Sequence, residues 1–257
     1  MNQEQHRYFI RLSFMGTDFC GWQVQPTSPS VQAELESALT LLLRENIRLT
    51  GAGRTDTGVH AREFYAHFTF ERAIHQDELA QLIYKCNRIL PPSIALQQIL
   101  PVEGNAHARF HAINRTYHYN ICTRKDPFLA DRAWLIERQL NLPAMQEAAA
   151  LLLEYEDFSS FARSNTQVKT HICSIEEARW ERHEHLLCFR IRADRFLRNM
   201  VRAIVGSLVD VGLGKHDTAA FRRIIEAKDR GAAGYSAPAR GLSLEEISYP
   251  PGFLPAG

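Results

Sequence analysis

Asp56 lies in the stretch Gly51-Ala-Gly-Arg-Thr-Asp-Thr-Gly-Val-His60, ten residues that carry three glycines, one arginine and one carboxylate. An ionised carboxylate in such a stretch can act as a nucleophile or as a general base. Arg54, two residues earlier, is a permanent cation, and a neighbouring cation favours the charged form of a carboxylate. Asp56 is therefore expected to be an anion at neutral pH. Gly51, Gly53 and Gly58 let the backbone turn sharply or approach a ligand closely. The apolar run Ile47 to Leu49 enters the stretch and the alternating run Phe64 to Phe70 leaves it, which predicts a loop between two strands.

Two other chemistries are disfavoured by the same residues. A phosphate-cradling loop would need a third glycine and a Gly-Lys-Ser/Thr ending followed by a helix, and Gly51-Ala-Gly53 has neither. A two-carboxylate hydrolase would need a second acid beside Asp56; the nearest, Glu63, falls on a predicted strand. The structural alternative is a glycine-rich turn with a surface ion pair.

Further along, Arg115-Thr-Tyr-His-Tyr-Asn-Ile-Cys-Thr123 alternates as a strand, with Tyr117, Tyr119 and Ile121 on one face. A tyrosine there either stacks on a base or fills the core with its hydroxyl satisfied. A long helix is predicted over Arg195 to Val211, with Phe196, Met200, Ile204 and Leu208 as its apolar stripe and Arg195, Arg198 and Arg202 on a second stripe. Five arginines against the single acid Asp194 between Leu186 and Gly206 look like a footprint for phosphate. His107 with His111, and His183 with His185, invite a metal reading, but no Glu or Cys completes a ligand set and no metal site is expected.

These groups need positioning. A strand from Arg7 to Phe14 runs into the polar, aromatic segment Gly16 to Pro26, where Trp22 is read either as a core-edge aromatic or as an RNA contact. Ser30 then caps a helix with Val31, Leu35, Leu39, Leu42 and Leu43 at helical spacing. Strands Ile47 to Thr50 and Glu63 to Thr69, a helix Gln76 to Arg88 and a strand Ile94 to Leu100 complete a β-α-β-β-α-β, ferredoxin-like order. From Arg115 a similar order begins again: a strand to Thr123, a helix Pro143 to Leu153, strands Ser174 to Arg182 and Leu186 to Ala193, the long helix, a helix Thr218 to Lys228 and a strand Leu242 to Tyr249. Two domains follow, 1-106 with the candidate loop and 107-257 with the tyrosines and the basic helix, and residues past Pro250 read as a frayed tail.

Of the 30 basic residues 25 are arginine, the side chain suited to bidentate phosphate contacts and base stacking, so an RNA or phosphate partner is favoured despite a net charge of only +1. The five scattered cysteines form no Cys-x-x-Cys pair and read as reduced thiols. With no apolar run of about 18 residues and no signal-like N-terminus, a soluble cytoplasmic protein is expected.

The motifs resemble those of the tRNA pseudouridine synthase A family. Its Gly-Ala-Gly-Arg-Thr-Asp-Ala-Gly-Val-His signature differs here only at Thr57; its Gly-Trp-Gln-x-Gln matches Gly21, Trp22, Gln23 and Gln25; its Arg-x-Tyr-x-Tyr matches Arg115, Tyr117 and Tyr119. Phe196-Leu-x-x-Met-Val-Arg202 and His107-Ala-Arg-Phe110 also match, with Ala106 replacing a phenylalanine and Cys173 standing where the family commonly has arginine. The resemblance covers Arg7 to Tyr249. It implies an α+β fold of two ferredoxin-like α/β subdomains with joined antiparallel sheets and a central RNA-binding cleft. It further implies isomerisation of uridine to pseudouridine at positions 38, 39 and 40 in the anticodon stem and loop of tRNA, by a homodimer that needs no cofactor. Asp56 then falls in the catalytic role, Tyr117 against the substrate, Arg202 as the basic partner of the aspartate, and Arg54 as a further substrate-binding residue. An RNA-binding module without catalysis is the alternative; it would need stacking aromatics but no such carboxylate loop.

Overall fold

The computed structural model describes residues 5–163 and 169–255. The fold is mixed α+β, and the chain forms two compact units, Met1–Ile113 together with Glu246–Gly257, and Asn114–Glu245.

In the first unit the order is β1 (His6–Phe14), α1 (Val31–Leu43), β2 (Thr50–Gly51), β3 (His60–Phe70), α2 (Gln76–Ile89) and β4 (Ile94–Val102). Strand β1 lies between β3 and β4, antiparallel to both, and β2 pairs antiparallel with β3 through Thr50 opposite His67. Tyr8, Phe9, Ile10, Leu12 and Phe14 are all buried, so this central strand is covered on both faces. Ser30 caps α1 as its sequence predicts, its Oγ accepting from Ala33 N at 3.3 Å, and Arg44 ends the helix in the left-handed region. Leu79, Leu82 and Cys86 are the buried stripe of α2, which stops before Pro91.

The Phe9 face of β1 is closed by the C-terminal segment. Tyr249 and Phe253 stack on each other at 5.3 Å, both meet the Phe9 ring edge-on at 5.7 Å, and Tyr249 also meets Tyr65 at 5.2 Å. Phe253, within the stretch read as a frayed tail, is thus packed into the first unit, and a single cut at 106/107 does not describe the division into compact units. The reason is apolar burial: the sheet offers Phe9 and Tyr65, and aromatic side chains from far along the chain cover them.

In the second unit β5 (Asn114–Cys122) is followed by β6 (Trp134–Leu135), α3 (Leu142–Ala150), β7 (Ile175–His183), β8 (Leu186–Ala193), α4 (Met200–Gly212), α5 (Thr218–Glu226) and β9 (Leu242–Ser248). The sheet order is β9-β5-β8-β7, with β6 parallel to β5, and Tyr117 pairs with Ile191. Strand β9 starts in this unit, through Glu245, and ends in the first, from Glu246.

Helix α4 starts five residues later than predicted. Asp194 resembles an N-cap, but its Oδ1 accepts from Arg195 N at 2.7 Å and from Ser174 N at 2.8 Å, while Arg163 N donates to Arg198 O at 3.1 Å. These bonds hold 194–198 in a non-helical course, and Asn199, at φ 66°, turns the chain into the helix. Arg195 and Arg198 therefore do not share a helical stripe with Arg202. Likewise only Thr50 of the predicted strand Ile47 to Thr50 joins the sheet, together with Gly51, and β3 begins at His60 rather than Glu63.

Candidate active site

The loop that carries Asp56 is braced by the Gly16 to Pro26 segment of the same unit. Gly16 N donates to His60 Nδ1 at 2.9 Å, Trp22 N to Thr55 Oγ1 at 3.0 Å, and Gly58 N to Phe19 O at 3.2 Å. Because Nδ1 of His60 accepts a main-chain N–H, the neutral ring carries its proton on Nε2. Val59 N returns to Asp56 O at 3.1 Å, closing a four-residue turn whose third position, Gly58, has φ +79°. A turn with a left-handed third residue takes glycine there. Its second position tolerates most residues, and there sits the exposed Thr57, the one departure from the family string.

Gly21 matters through contact. It has φ +88°, and a Cβ there would overlap the Thr55 carbonyl oxygen, so only glycine lets the two loops touch one residue from Asp56. Gly51 is a strand residue instead of a turn residue. Trp22 is 2 % exposed, with its ring 4.3 Å from that of Phe64, which makes it core and removes the reading of its ring as an RNA contact.

Asp56 is half-buried, and Arg54 is exposed. Among the described residues Arg54 forms no ion pair with Asp56, so it is not the cation that holds that carboxylate ionised. Glu63 is committed elsewhere in the first unit: it pairs with Arg11 at 2.8 Å and accepts from Ile247 N at 3.2 Å. It is a structural acid, and the two-carboxylate hydrolase loses its second group.

In the second unit Tyr117 is half-buried, its ring edge-on to Phe196 at 5.1 Å. Tyr119 is fully buried and donates its hydroxyl to Pro238 O at 2.8 Å; burial raises that hydroxyl far above the ordinary tyrosine range. Every residue of α4 from Met200 to Gly212 is buried except Arg202, which is half-buried. Its Nε donates to Ala237 O at 2.7 Å and Ala237 N returns to Arg202 O at 2.9 Å, a reciprocal clasp that fixes the stem of the side chain.

The histidines have structural work. His107 N donates to His111 Nδ1 at 3.0 Å and Arg109 N to His107 Nδ1 at 3.1 Å. Among the described residues no group of three or more His, Cys, Asp or Glu stands where it could hold a metal ion. Nor is any helix among them long and apolar enough to cross a membrane. All five cysteines are free, and burial pushes the thiols of Cys86, Cys173 and Cys188 up to about 12.

The structure places Asp56 and Arg54 in one loop of the first unit and Tyr117 and Arg202 in the second. The sequence did not disclose that Gly21, Thr55 and His60 position the loop, although two glycines flanking an aromatic, polar segment were a signal for a second loop of interest.

Comparison with known proteins gives one class. A family described as tRNA pseudouridine synthase matches residues 148–250. Along nearly its whole length the chain is similar to proteins named tRNA pseudouridine synthase A. It is 47 % identical to that of Parabacteroides distasonis over 249 residues, covering 97 % of this chain and 98 % of the relative. Identity to that of Porphyromonas gingivalis is 48 % over 246 residues, covering 95 % and 97 %. A more distant relative, from Francisella tularensis subsp. novicida, is 37 % identical over 245 residues, covering 95 % and 94 %. The chain belongs to the tRNA pseudouridine synthase A family.

Proposed function

We propose that this chain isomerises uridine to pseudouridine at positions 38, 39 and 40 in the anticodon stem and loop of tRNA. The observation that carries the reading is the braced carboxylate loop: Asp56 closes a Gly58 turn that is held from the other side by Gly16, Phe19 and Trp22. A module that only bound RNA would not require the main chain that carries one carboxylate to be fixed so closely.

In the reaction the bond from N1 to C1′ breaks, the uracil turns, a bond forms from C5 to C1′, the proton on C5 is released to water and N1 takes up a proton in exchange, so the product is an isomer of the substrate and there is no net redox change. A carboxylate serves by adding to C6 of the base, by adding to C1′, or by removing the 2′ proton. Each route needs Asp56 ionised and aimed at a base taken out of its stack. Tyr117 is proposed to lie against that base, in keeping with its half-buried ring. Arg202 is proposed as the cation that holds the aspartate, in keeping with its place as the single opening in a buried helix. Arg54, exposed and not paired with Asp56, is proposed to contact the RNA. From the family resemblance the enzyme is taken as a cytoplasmic homodimer that shares one tRNA across both subunits.

The test is incubation with tRNA tritiated at C5 of uridine, without added metal, using substrates in which uridine at 38, 39 or 40 is replaced by cytidine one position at a time. Release of tritium that falls with each replacement supports the reading. No release, or release indifferent to all three replacements, overturns it.

A further inference from the structure

Residues 105–113, Asn-Ala-His-Ala-Arg-Phe-His-Ala-Ile, follow β4 in the first unit and contain no acidic residue. Side chains hold the main chain of this loop at each residue from Ala106 to Arg109. Arg7 Nη1 donates to Ala106 O at 2.8 Å, Ala108 N donates to His67 Nδ1 at 3.1 Å, and Tyr249 donates its hydroxyl to Ala108 O at 2.6 Å. His111 and His107 accept from His107 N and Arg109 N in turn. Such a set of buried and half-buried polar groups fixes a loop rather than letting it adapt.

On this frame Phe110 is 73 % exposed. A phenylalanine left that open on a fixed loop cannot fold away from water. The Arg109 guanidinium carbon lies 5.6 Å from the centre of its ring, and the His107 ring lies 4.2 Å away, tilted by 33°. The imidazoles of His67 and His107 add no positive charge at neutral pH. Burial, then the neighbouring His107 and Arg7, lowers His67 to about 4, and burial followed by Arg7 lowers His107 as well. The fixed charge of the loop is thus that of arginine alone. An open aromatic face with an arginine beside it, on a loop whose own sequence carries no acid, is an arrangement on which an unpaired base stacks while its phosphate is neutralised.

We infer that Phe110 is a stacking platform for an unpaired nucleotide of the tRNA substrate, with Arg109 at the adjacent phosphate. The inference rests on the reading of this chain as a tRNA-modifying enzyme, and it assigns part of the binding of that tRNA to a loop outside the Asp56 turn. It concerns affinity alone, since neither residue is placed at the reacting atoms.

The experiment compares wild type with Phe110→Ala, Phe110→Leu, Phe110→Trp and Arg109→Met. It reads tRNA affinity across a salt series, KM and kcat for pseudouridine formation, melting temperature and sedimentation. Phe110→Ala and Phe110→Leu should weaken tRNA binding and raise KM about tenfold, with kcat and melting temperature unchanged, and Phe110→Trp should bind as tightly as wild type. Arg109→Met should lower the slope of log affinity against log salt by about 0.7, the value for a single-strand phosphate contact. Wild-type affinity in Phe110→Ala overturns the inference. So does wild-type affinity in Phe110→Leu, which would mean an apolar contact without stacking, or a changed sedimentation coefficient, which would make Phe110 a contact between protein chains. A wild-type enzyme that forms no pseudouridine, yet binds tRNA with the predicted order of Phe110 variants, would sink the function reading and leave the stacking platform standing.

Discussion

Asp56 depends on Gly21, although the two lie far apart in sequence. A methyl group at Gly21 would displace the Thr55 carbonyl, and a left-handed backbone costs any other residue about 1 kcal/mol. Gly21→Ala should therefore move the loop by a fraction of an ångström to an ångström and lower turnover about a hundredfold while tRNA binding holds, as read by single-turnover rates beside a binding titration. Wild-type turnover in that variant would mean the brace is not needed. The two tyrosines of β5 separate in the same way. Tyr119→Phe leaves Pro238 O without its donor and should cost about 1 kcal/mol by denaturant titration, with turnover unchanged. Tyr117→Phe keeps the ring against Phe196 and should lose turnover if the hydroxyl assists removal of the C5 proton. The place of Asp56 in a turn made by Gly58 and the satisfied hydroxyl of Tyr119 were legible in sequence because each follows from residue type and local spacing. The contact of Gly21 with Thr55 was not, because it depends on how two loops from different parts of the chain pack. The same limit hid that, among the described residues, Arg54 forms no ion pair with the carboxylate it neighbours.

At the level of elements, the order in the first unit was legible, since Ser30, the apolar spacing of α1 and α2 and the two prolines after α2 are all local signals. The start of α4 was not. Phe196 continues the apolar spacing of the helix and Asp194 looks like its cap, yet long-range bonds from Arg163 and Ser174 claim the segment first. The consequence is functional. Arg198 is exposed on this irregular stretch, whereas Arg202 is clasped by Ala237 in the first turn of the helix. Arg195→Met and Arg198→Met should each lower the salt slope of tRNA binding by about 0.7 to 0.9 and spare the rate at saturation. Arg202→Met should leave the slope nearly unchanged and abolish turnover, and Arg202→Lys should restore part of it. Paired salt titrations and single-turnover rates read both; a shared salt signature with an intact rate would make Arg202 one more phosphate contact.

Over the whole molecule, the closing of the first unit by Tyr249 and Phe253 could not be read from the tail itself, whose glycine and prolines suggest fraying. It needed the position of Phe9 on a strand covered on both sides. That packing also buries His67, stacked 5.8 Å from Phe9, and burial lowers it to about 4 from an ordinary 6.5. The unfolded chain then binds the extra proton throughout that interval, so stability rises with pH across it. The contribution is whole above pH about 6.5 and is lost as pH falls toward about 4. Wild type should lose melting temperature over this range more steeply than His67→Gln, and equal pH slopes would contradict the buried neutral imidazole. The central claim is that the carboxylate of Asp56 carries the chemistry, and the direct measurement is tritium release from C5-tritiated tRNA under single-turnover conditions by Asp56→Asn and Asp56→Ala. Both should bind tRNA within a few fold of wild type, because arginines supply the binding, and release no tritium above the enzyme-free background. Release at more than a trace by either variant, with binding intact, would place the reaction on another group.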